Sequence, residues 1–363
     1  MKVKLEDVCE RGTSNLKQSD IAKTSGDYPI YGASGYIGNA NFYHQEKPYV
    51  AVVKDGAGVG RTALYPANSS VIGTMQYLLP KDNVLPKYLF YVVSYMHLEK
   101  YFTGATIPHI YFKNEEFNLD LLERQAEIVE ILEKCEKIIE KRKQEIQLLD
   151  NLIKARFVEM FGNPVLNDKD WVQKSLGEIT TKIGSGATPK GGKEAYQEEG
   201  ITLIRSMNVH NGQFEYKDLA YISDEQASKL DNVTIEEKDV LLNITGASVA
   251  RSCVVPNEIL PARVNQHVCI IRCKDCIIPE FLNKLLIDDN YQDLLWSVAG
   301  SGATREAITK QQVENLQIIL PTIGLQKEYV AFVEQVTKSK VVVQKALDEA
   351  QLLFDSLMQE YFG

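Results

Sequence analysis

The stretch Gln125 to Gly162, QAEIVEILEKCEKIIEKRKQEIQLLDNLIKARFVEMFG, contains no proline and no internal glycine, and it occurs twice. Shifted by 201 residues without gaps it lies on Gln326 to Gly363, with Gln125/Gln326, Glu127/Glu328, Val129/Val330, Glu133/Glu334, Lys137/Lys338, Leu152/Leu353, Glu159/Glu360, Phe161/Phe362 and Gly162/Gly363 identical. Self-similarity at a fixed offset predicts two copies of one unit. Both copies carry the same heptad seam. Leu132, Ile139, Ile146, Ile153 and Met160 recur every seven residues in the first, and Val333, Lys340, Leu347, Phe354 and Tyr361 in the second. A heptad sustained this long predicts a coiled coil of two helices, each about 55–60 Å long.

The globules between the helices repeat as well. At an offset of 190, Gly56/Gly246, Ala57/Ala247, Val59/Val249, Arg61/Arg251, Pro66/Pro256 and Gln76/Gln266 match; at 198, Gly104-Ala105-Thr106 meets Gly302-Ala303-Thr304. In the first globule YVAVVKDGAGVGRTALYP reads as strand, glycine turn, strand, and LPKYLFYVVSYMHLEKYF as a helix opened by Pro86. GATIPHIYF reads as a loop and short strand, NPVLNDKDW as a polar linker, and PEFLNKLLIDDNYQDLLWSV as a helix. The expected fold class is α+β. Its parts are a first globule (1–116), a first spacer helix (117–162), a linker with the second globule (163–320), and a second spacer helix (321–363). Chain connectivity then makes the helices antiparallel and sets the globules at opposite ends of a rod, as a pseudo-twofold internal repeat.

Composition removes several function classes. No run approaches the roughly 18–20 apolar residues of a membrane span, and MKVKLEDVCERG has no apolar core behind its lysines, so no signal peptide is expected. Six scattered cysteines suit a reducing cytoplasm. Net charge is −9, which alone predicts weak DNA affinity, because Lys and Arg supply most of it.

Enzyme signals fail one by one. KIGSGATPKGGKE resembles a phosphate loop, but Ala187 stands where glycine is needed and Glu194 where Ser or Thr would hold magnesium. KDGAGVG lacks the spacing and following helix of a dinucleotide fingerprint. No Asn-Pro-Pro-aromatic or Asp-Pro-Pro-aromatic tetrapeptide marks an amino-methyltransferase pocket. Cys269, Cys273 and Cys276 lack the second close pair of a structural zinc site, and the five histidines show no metal-ligand spacing. Neither catalytic residues nor a metal site are expected.

The order globule, helix, globule, helix, with each helix ending in Phe-Gly, resembles the DNA specificity (S) subunit of Type I restriction-modification enzymes. LIKARFVEMFGNP (Leu152 to Pro164), GSGATPK (Gly184 to Lys190), PIYGASGYIG, the Gly-x-x-x-x-Arg turns and LPTIGLQKEYV carry the likeness, which spans the chain. The resemblance implies a non-catalytic subunit whose globules are target recognition domains, each reading half of a bipartite, asymmetric sequence on double-stranded DNA. The helices would set the gap and dock two methyltransferase (M) subunits, and restriction (R) subunits would join for cleavage. No cofactor belongs to this chain; S-adenosylmethionine, ATP and magnesium would be bound by the partners. A cytoplasmic protein without membrane contact is implied. The competing reading is a coiled-coil scaffold without DNA function, which two diverged heads on repeated arms fit poorly.

Groove chemistry nominates the readers, since Arg and Lys suit guanine, Asn and Gln suit adenine, and Thr suits the thymine methyl. In the second globule these are Lys182, Ser185, Thr188, Lys190 and Lys193 of a basic loop, then Arg205, Asn208, Thr245, Arg251, Gln266 and Arg305. In the first they are Tyr31, Ser34, Lys54, Arg61, Gln76, Thr106 and His109. The first globule shows no counterpart of GSGATPK in its sequence.

Overall fold

The computed structural model describes residues 1–21, 25–56, 58–104, 111–189, 191–300 and 306–363, and the side chains of Asp20, Tyr111, Phe112, Lys193 and Ala195 also lie outside that description. In chain order the elements are β1 (Lys2–Lys4), α1 (Leu5–Val8), β2 (Cys9–Thr13), α2 (Gln18–Ile21), β3 (Tyr28–Gly32), β4 (Gly35–Ala40), β5 (Tyr49–Val53), β6 (Thr62–Tyr65), β7 (Ser70–Val71), β8 (Met75–Pro80), α3 (Pro86–Tyr95), α4 (Tyr111–Asn114), β9 (Glu116–Asn118) and α5 (Leu122–Phe161). There follow β10 (Gln173–Ser175), β11 (Thr180–Ser185), β12 (Ile201–Ile204), β13 (Val209–His210), β14 (Gln213–Phe214), β15 (Ala220–Ile222), α6 (Asp224–Ser228), β16 (Val240–Asn243), β17 (Ser252–Val254), β18 (Ala262–Val264), β19 (Val268–Cys273), α7 (Pro279–Leu286), α8 (Asp289–Gly300), α9 (Lys310–Glu314), β20 (Gln317–Ile319) and α10 (Ile323–Phe362). The fold is α+β, with two 40-residue helices of about 60 Å each.

The chain forms two compact units, Met1–Glu145 with Val342–Gly363, and Ile146–Val341. Each therefore takes in part of both long helices. In the first unit a four-stranded antiparallel sheet runs β2-β8-β5-β6, a three-stranded sheet runs β4-β3-β7, and β1 pairs with β9. The central strand β5 is YVAVV, buried along its whole length, as a strand covered on both faces must be. The start of α5 packs against the end of α10, so the helices run antiparallel here. Ile128 and Leu132 share a core with Met358, Phe354 and Tyr361, and the Arg124 guanidinium lies 5.7 Å from the Tyr361 ring.

The second unit repeats this topology strand for strand. Its sheets run β11-β19-β16-β17 and β15-β12-β18, with β10 paired to β20, and the hairpin β13–β14 is an addition. In both three-stranded sheets the middle strand is antiparallel to one neighbour and parallel to the other. The end of α5 packs against the start of α10, again antiparallel. Tyr329 lies 5.5 Å from Phe157 and 5.4 Å from Phe161, Arg156 pairs with Glu328 at 2.8 Å, and Lys340 with Asp150 at 2.6 Å. Lys340 thus occupies an apolar seam position by finding a carboxylate.

Along the seam Leu132 and Ile139 are buried, and Ile146, Ile153, Met160, Val333, Leu347, Phe354 and Tyr361 are half-buried. Several boundaries differ from expectation. Residues 117–118 belong to strand β9 rather than to the helix, which starts at Leu122. The segment 279–298 is two helices, α7 and α8, because the chain turns at Ile287–Asp288. Tyr111 and Phe112, the end of the expected loop and short strand, belong to a helical turn, Tyr111–Asn114.

One residue fixes each globule to its long helix. Gln125 accepts from Leu85 N at 2.8 Å and donates to the carbonyls of Asn83 and Asp120. Gln326 accepts from Ile278 N at 2.8 Å and donates to the carbonyls of Cys276 and Pro321. Both side chains are fully buried. Each satisfies the N–H just before Pro86 or Pro279, at the orphan-donor end of α3 or α7. The identity at an offset of 201 marks one clamp used twice.

Candidate nucleic-acid interface

The Gly-x-x-x-x-Arg turn is closed by the same three main-chain hydrogen bonds in both globules, although Gly58 has a φ of 87° where Ser248 lies in a helical turn. In the first, Val53 N donates to Arg61 O at 2.9 Å, Gly60 N to Val53 O at 2.9 Å and Lys54 N to Thr74 O at 2.9 Å. In the second, Asn243 N donates to Arg251 O at 2.8 Å, Ala250 N to Asn243 O at 2.8 Å and Ile244 N to His267 O at 3.0 Å. Gly56 and Gly246 share φ values of 84° and 72°, and Gly60 and Ala250 values of 88° and 70°. The matched turns are a common framework.

These bonds make Thr74 the equivalent of His267 and Gly73 that of Gln266. The paired bonds Ile72 N to Tyr31 O and Asn265 N to Ile204 O, both 3.0 Å, give the same alignment. Between Pro256 and Val264 the second globule has three residues more than lie between Pro66 and Val71, and they form a helical turn at Asn257–Ile259. The offset thus changes from 190 to 193 before Gln76 is reached. Gln76 and Gln266 are not equivalent.

Sheet register also supplies what sequence comparison did not find. Thr13 pairs with Gln76 and Gly12 with Tyr77, as Ser185 pairs with Cys269 and Gly184 with Ile270. Gly12-Thr13 is therefore the first globule's Gly184-Ser185, and the following Ser14–Lys17 replaces Gly186–Pro189. Arg11, Thr13, Asn15 and Lys17 are exposed there. The only legible signal was the short run RGTSNLK, which crosses the end of β2; Gly12 is the one identity. Gly186 is obligatory in the second globule, because a Cβ there would lie 1.7 Å from Val264 O.

The structure gathers some nominated residues and separates others. In the first globule, exposed Arg61 donates from Nη1 to Ala33 O at 3.1 Å, which joins the glycine turn to the β3–β4 turn, where exposed Ser34 follows strand β3 with Tyr31. Tyr31 stacks on Tyr65 at 4.3 Å, and burial raises its phenol pKa. Lys54, half-buried, opens the same glycine turn. In the second globule Thr188, Gln266 and Thr245 form one hydrogen-bonded chain through His267. Ser185 is exposed beside it, and half-buried Arg251 closes the turn. Gly246 N donates to Glu306 O at 2.9 Å, which brings the segment after residue 305 to the same place.

Three expectations are corrected. Asn208 is fully buried; its Oδ1 accepts from Arg205 N, and its Nδ2 donates to the carbonyls of Glu215 and Lys217. It shapes a turn and cannot reach a base edge. Gln76 is also fully buried, on β8. Lys182 lies within strand β11 rather than in a loop, half-buried; desolvation and the nearby Arg272 guanidinium lower its pKa. Arg205 remains half-exposed, but its guanidinium donates to Asp218 O and lies 5.6 Å from the Tyr196 ring. Thr106, His109, Lys190 and Arg305 lie outside the described residues, as does the side chain of Lys193.

Among the described residues no group of three or more His, Cys, Asp or Glu is placed to hold a metal ion. Cys269 is buried and Cys276 exposed, and burial pushes the thiols of Cys253, Cys269 and Cys273 up to about 12. No described helix is long and apolar enough to cross a membrane.

A family model described as "Type I restriction modification DNA specificity domain" matches residues 1–148 and 168–350. The chain belongs to this DNA specificity family. Its general role is thus DNA specificity within a Type I restriction-modification system. Among curated relatives of this specificity protein, the MjaIX specificity subunit of Methanocaldococcus jannaschii is 24% identical over 306 residues, 77% of this chain and 69% of that one. The EcoBI specificity subunit of Escherichia coli is 26% identical over 208 residues, 56% of this chain and 42% of the relative. The S subunit of a Type I restriction-modification system from M. genitalium superposes with a TM-score of 0.63 at 14% identity, over 100% of this chain and 96% of that one. A chain from a structure addressing complex assembly and conformational transition of the type I R-M system gives 0.62 at 16% identity, over 99% and 97%. At such identities the superpositions show a shared fold.

Proposed function

We propose that this specificity-family chain is a non-catalytic subunit that reads a bipartite, asymmetric DNA target, one half with each globule. The long helices hold the two readers at a fixed spacing and dock two methyltransferase subunits, and restriction subunits join that assembly. The observation that carries this reading is the glycine turn: one main-chain framework, used twice, beside different exposed side chains. Two readers of different half-sites need this combination, because phosphate contacts position a protein while base contacts specify.

The first globule's reading face is assigned to Arg11, Thr13, Asn15 and Lys17 with Tyr31, Ser34 and Arg61. The second uses Ser185, Thr188, Thr245, Arg251 and Gln266, with Lys190 and Lys193 just after Thr188 in sequence and Arg305 just before Glu306, whose carbonyl accepts from Gly246 N. Off the seam, the long helices expose Leu148 and Leu152 in one unit and Val342, Leu352 and Leu353 in the other. Exposed apolar stripes of this kind suit a protein partner. With a net charge of −9, tight DNA binding is expected only when such partners add cationic surface.

The test is co-expression with the neighbouring methyltransferase, followed by sequencing of methylated adenines. A single bipartite motif that disappears without this chain is expected. An Arg11→Ala, Asn15→Ala variant should degrade one half of that motif and leave the other half intact. Stable assembly that methylates without any sequence preference would refute the proposal.

A further inference from the structure

His267 lies between two recognition candidates, half-buried Thr245 and exposed Gln266. Its Nδ1 is 2.6 Å from Thr245 Oγ1, and its Nε2 is 3.1 Å from Gln266 Nε2. The Thr188 hydroxyl donates to Gln266 Oε1. The main chain of His267 is held as well, since its backbone N donates to Asn265 Oδ1 at 3.0 Å and Asn265 is buried. A neutral imidazole with its proton on Nδ1 donates to Thr245 and leaves Nε2 to accept from the Gln266 amide. Both ends of that amide are then committed, although Gln266 and Thr188 are exposed.

Nothing in the fold requires this network. At the equivalent positions the first globule has Asp55 for Thr245, Gly73 for Gln266 and Thr74 for His267, on matching main-chain hydrogen bonds; counting on from the paired strands puts Leu16 in place of Thr188, and there Leu16 O accepts from Gly73 N at 2.8 Å. All four members belong to one globule only. Freezing an exposed glutamine costs side-chain entropy. Paying that cost before a ligand arrives makes sense where a fixed orientation is the function.

We propose that Gln266 reads the major-groove edge of an adenine in the half-site of the second globule, with His267 as the positioning residue that fixes its amide. After its bonds to His267 and Thr188, the amide keeps one N–H and one oxygen lone pair. Those complement the N7 acceptor and N6 amino donor of adenine, the pairing that Gln makes bidentately. The inference rests on the DNA-reading function proposed above.

The experiment uses the chain assembled with its methyltransferase. Methylation motifs are sequenced for wild type, Gln266→Ala, Gln266→Glu and His267→Ala, and binding is measured to duplexes with each base at each motif position. Gln266→Ala should relax one adenine position on the order of 10- to 100-fold and leave all others unchanged. Gln266→Glu should shift that position toward cytosine, whose N4 amino group a carboxylate accepts. His267→Ala should relax the same position less. A duplex with 7-deazaadenine there should bind wild type about tenfold more weakly and Gln266→Ala no differently. An unchanged motif, relaxation at a position other than adenine, or uniform weakening across sequences would overturn the adenine assignment; the last would mean a phosphate contact. A His267→Ala profile identical to wild type would remove the positioning role. If wild type confers no motif, the DNA-reading function itself fails, which separates that failure from the others.

Discussion

In the first globule the turn after Val53 carries Asp55 and is flanked by Gly73 and Thr74. In the second, the turn after Asn243 carries Thr245 and is flanked by Gln266 and His267. The main-chain bonds under both are the same to within about 0.1 Å at three donor–acceptor pairs. The comparison teaches where each kind of information resides. Hydrogen-bond geometry and positive φ values define a framework that stays while Asp55 gives way to Thr245, Gly73 to Gln266 and Thr74 to His267. What differs between the globules is then free to differ in function.

If the units are true equivalents, matched substitutions should act alike except where packing differs. The largest effect is expected at the Phe-Gly ends of the long helices. Phe161 is fully buried, with its ring 5.2 Å from Phe157, 5.0 Å from Phe281 and 5.4 Å from Tyr329. Phe362 is half-buried against Tyr88 at 5.4 Å and Tyr95 at 6.4 Å. Phe161→Ala should cost about 3–5 kcal/mol in urea unfolding, and Phe362→Ala clearly less. Equal losses would mean that the two helix ends are anchored alike, against the difference in burial.

The next effect sharpens the comparison from the other side. Gln125→Ala and Gln326→Ala each leave one N–H and two carbonyls without that partner, and each should cost about 2–4 kcal/mol. The two losses should agree to within about 1 kcal/mol. A large inequality would show that the clamps only look alike.

The smallest effects concern one turn position. At Gly60 a Cβ would lie 2.7 Å from Glu99 N, and φ is +88°. Gly60→Ala should therefore destabilise by about 1–2 kcal/mol. Ala250, at φ 70°, already bears a Cβ. Ala250→Gly relieves about 1 kcal/mol of backbone strain and loses a buried methyl of similar worth, so stability should move by less than about 0.5 kcal/mol. Thermal melts of both variants would check the contrast.

Much of this was legible in the sequence because it is periodic or local. The helix phase, the glycine turn and the Pro-opened helices depend on short-range patterns, and all are present. Two of the misreadings share a physical origin in sheet register. Gln76 and Gln266 match at an offset of 190, but the three-residue excess ahead of Val264 moves the true alignment to 193. Gln76 then falls inside a strand, and Gln266 falls just before one. The equivalence of Gly12-Thr13 with Gly184-Ser185 was hidden for the same reason. It is defined by pairing with β8 and β19, not by residue identity. Asn208 was misjudged because an amide that suits an adenine also suits the carbonyls of its own turn, and only burial tells the two uses apart.

The clamps of Gln125 and Gln326 touch main-chain atoms alone: one N–H and two carbonyls on each. Such a joint is blind to the spelling of the segment it grips. Asn83 and Cys276 stand at corresponding places in it, as do Leu85 and Ile278, without altering the grip. Any head whose chain follows the same path into its short helix can be seated on the same arm. A recognition surface built this way can be rewritten wholesale, by drift or by exchange, while the hardware that carries it stays in service.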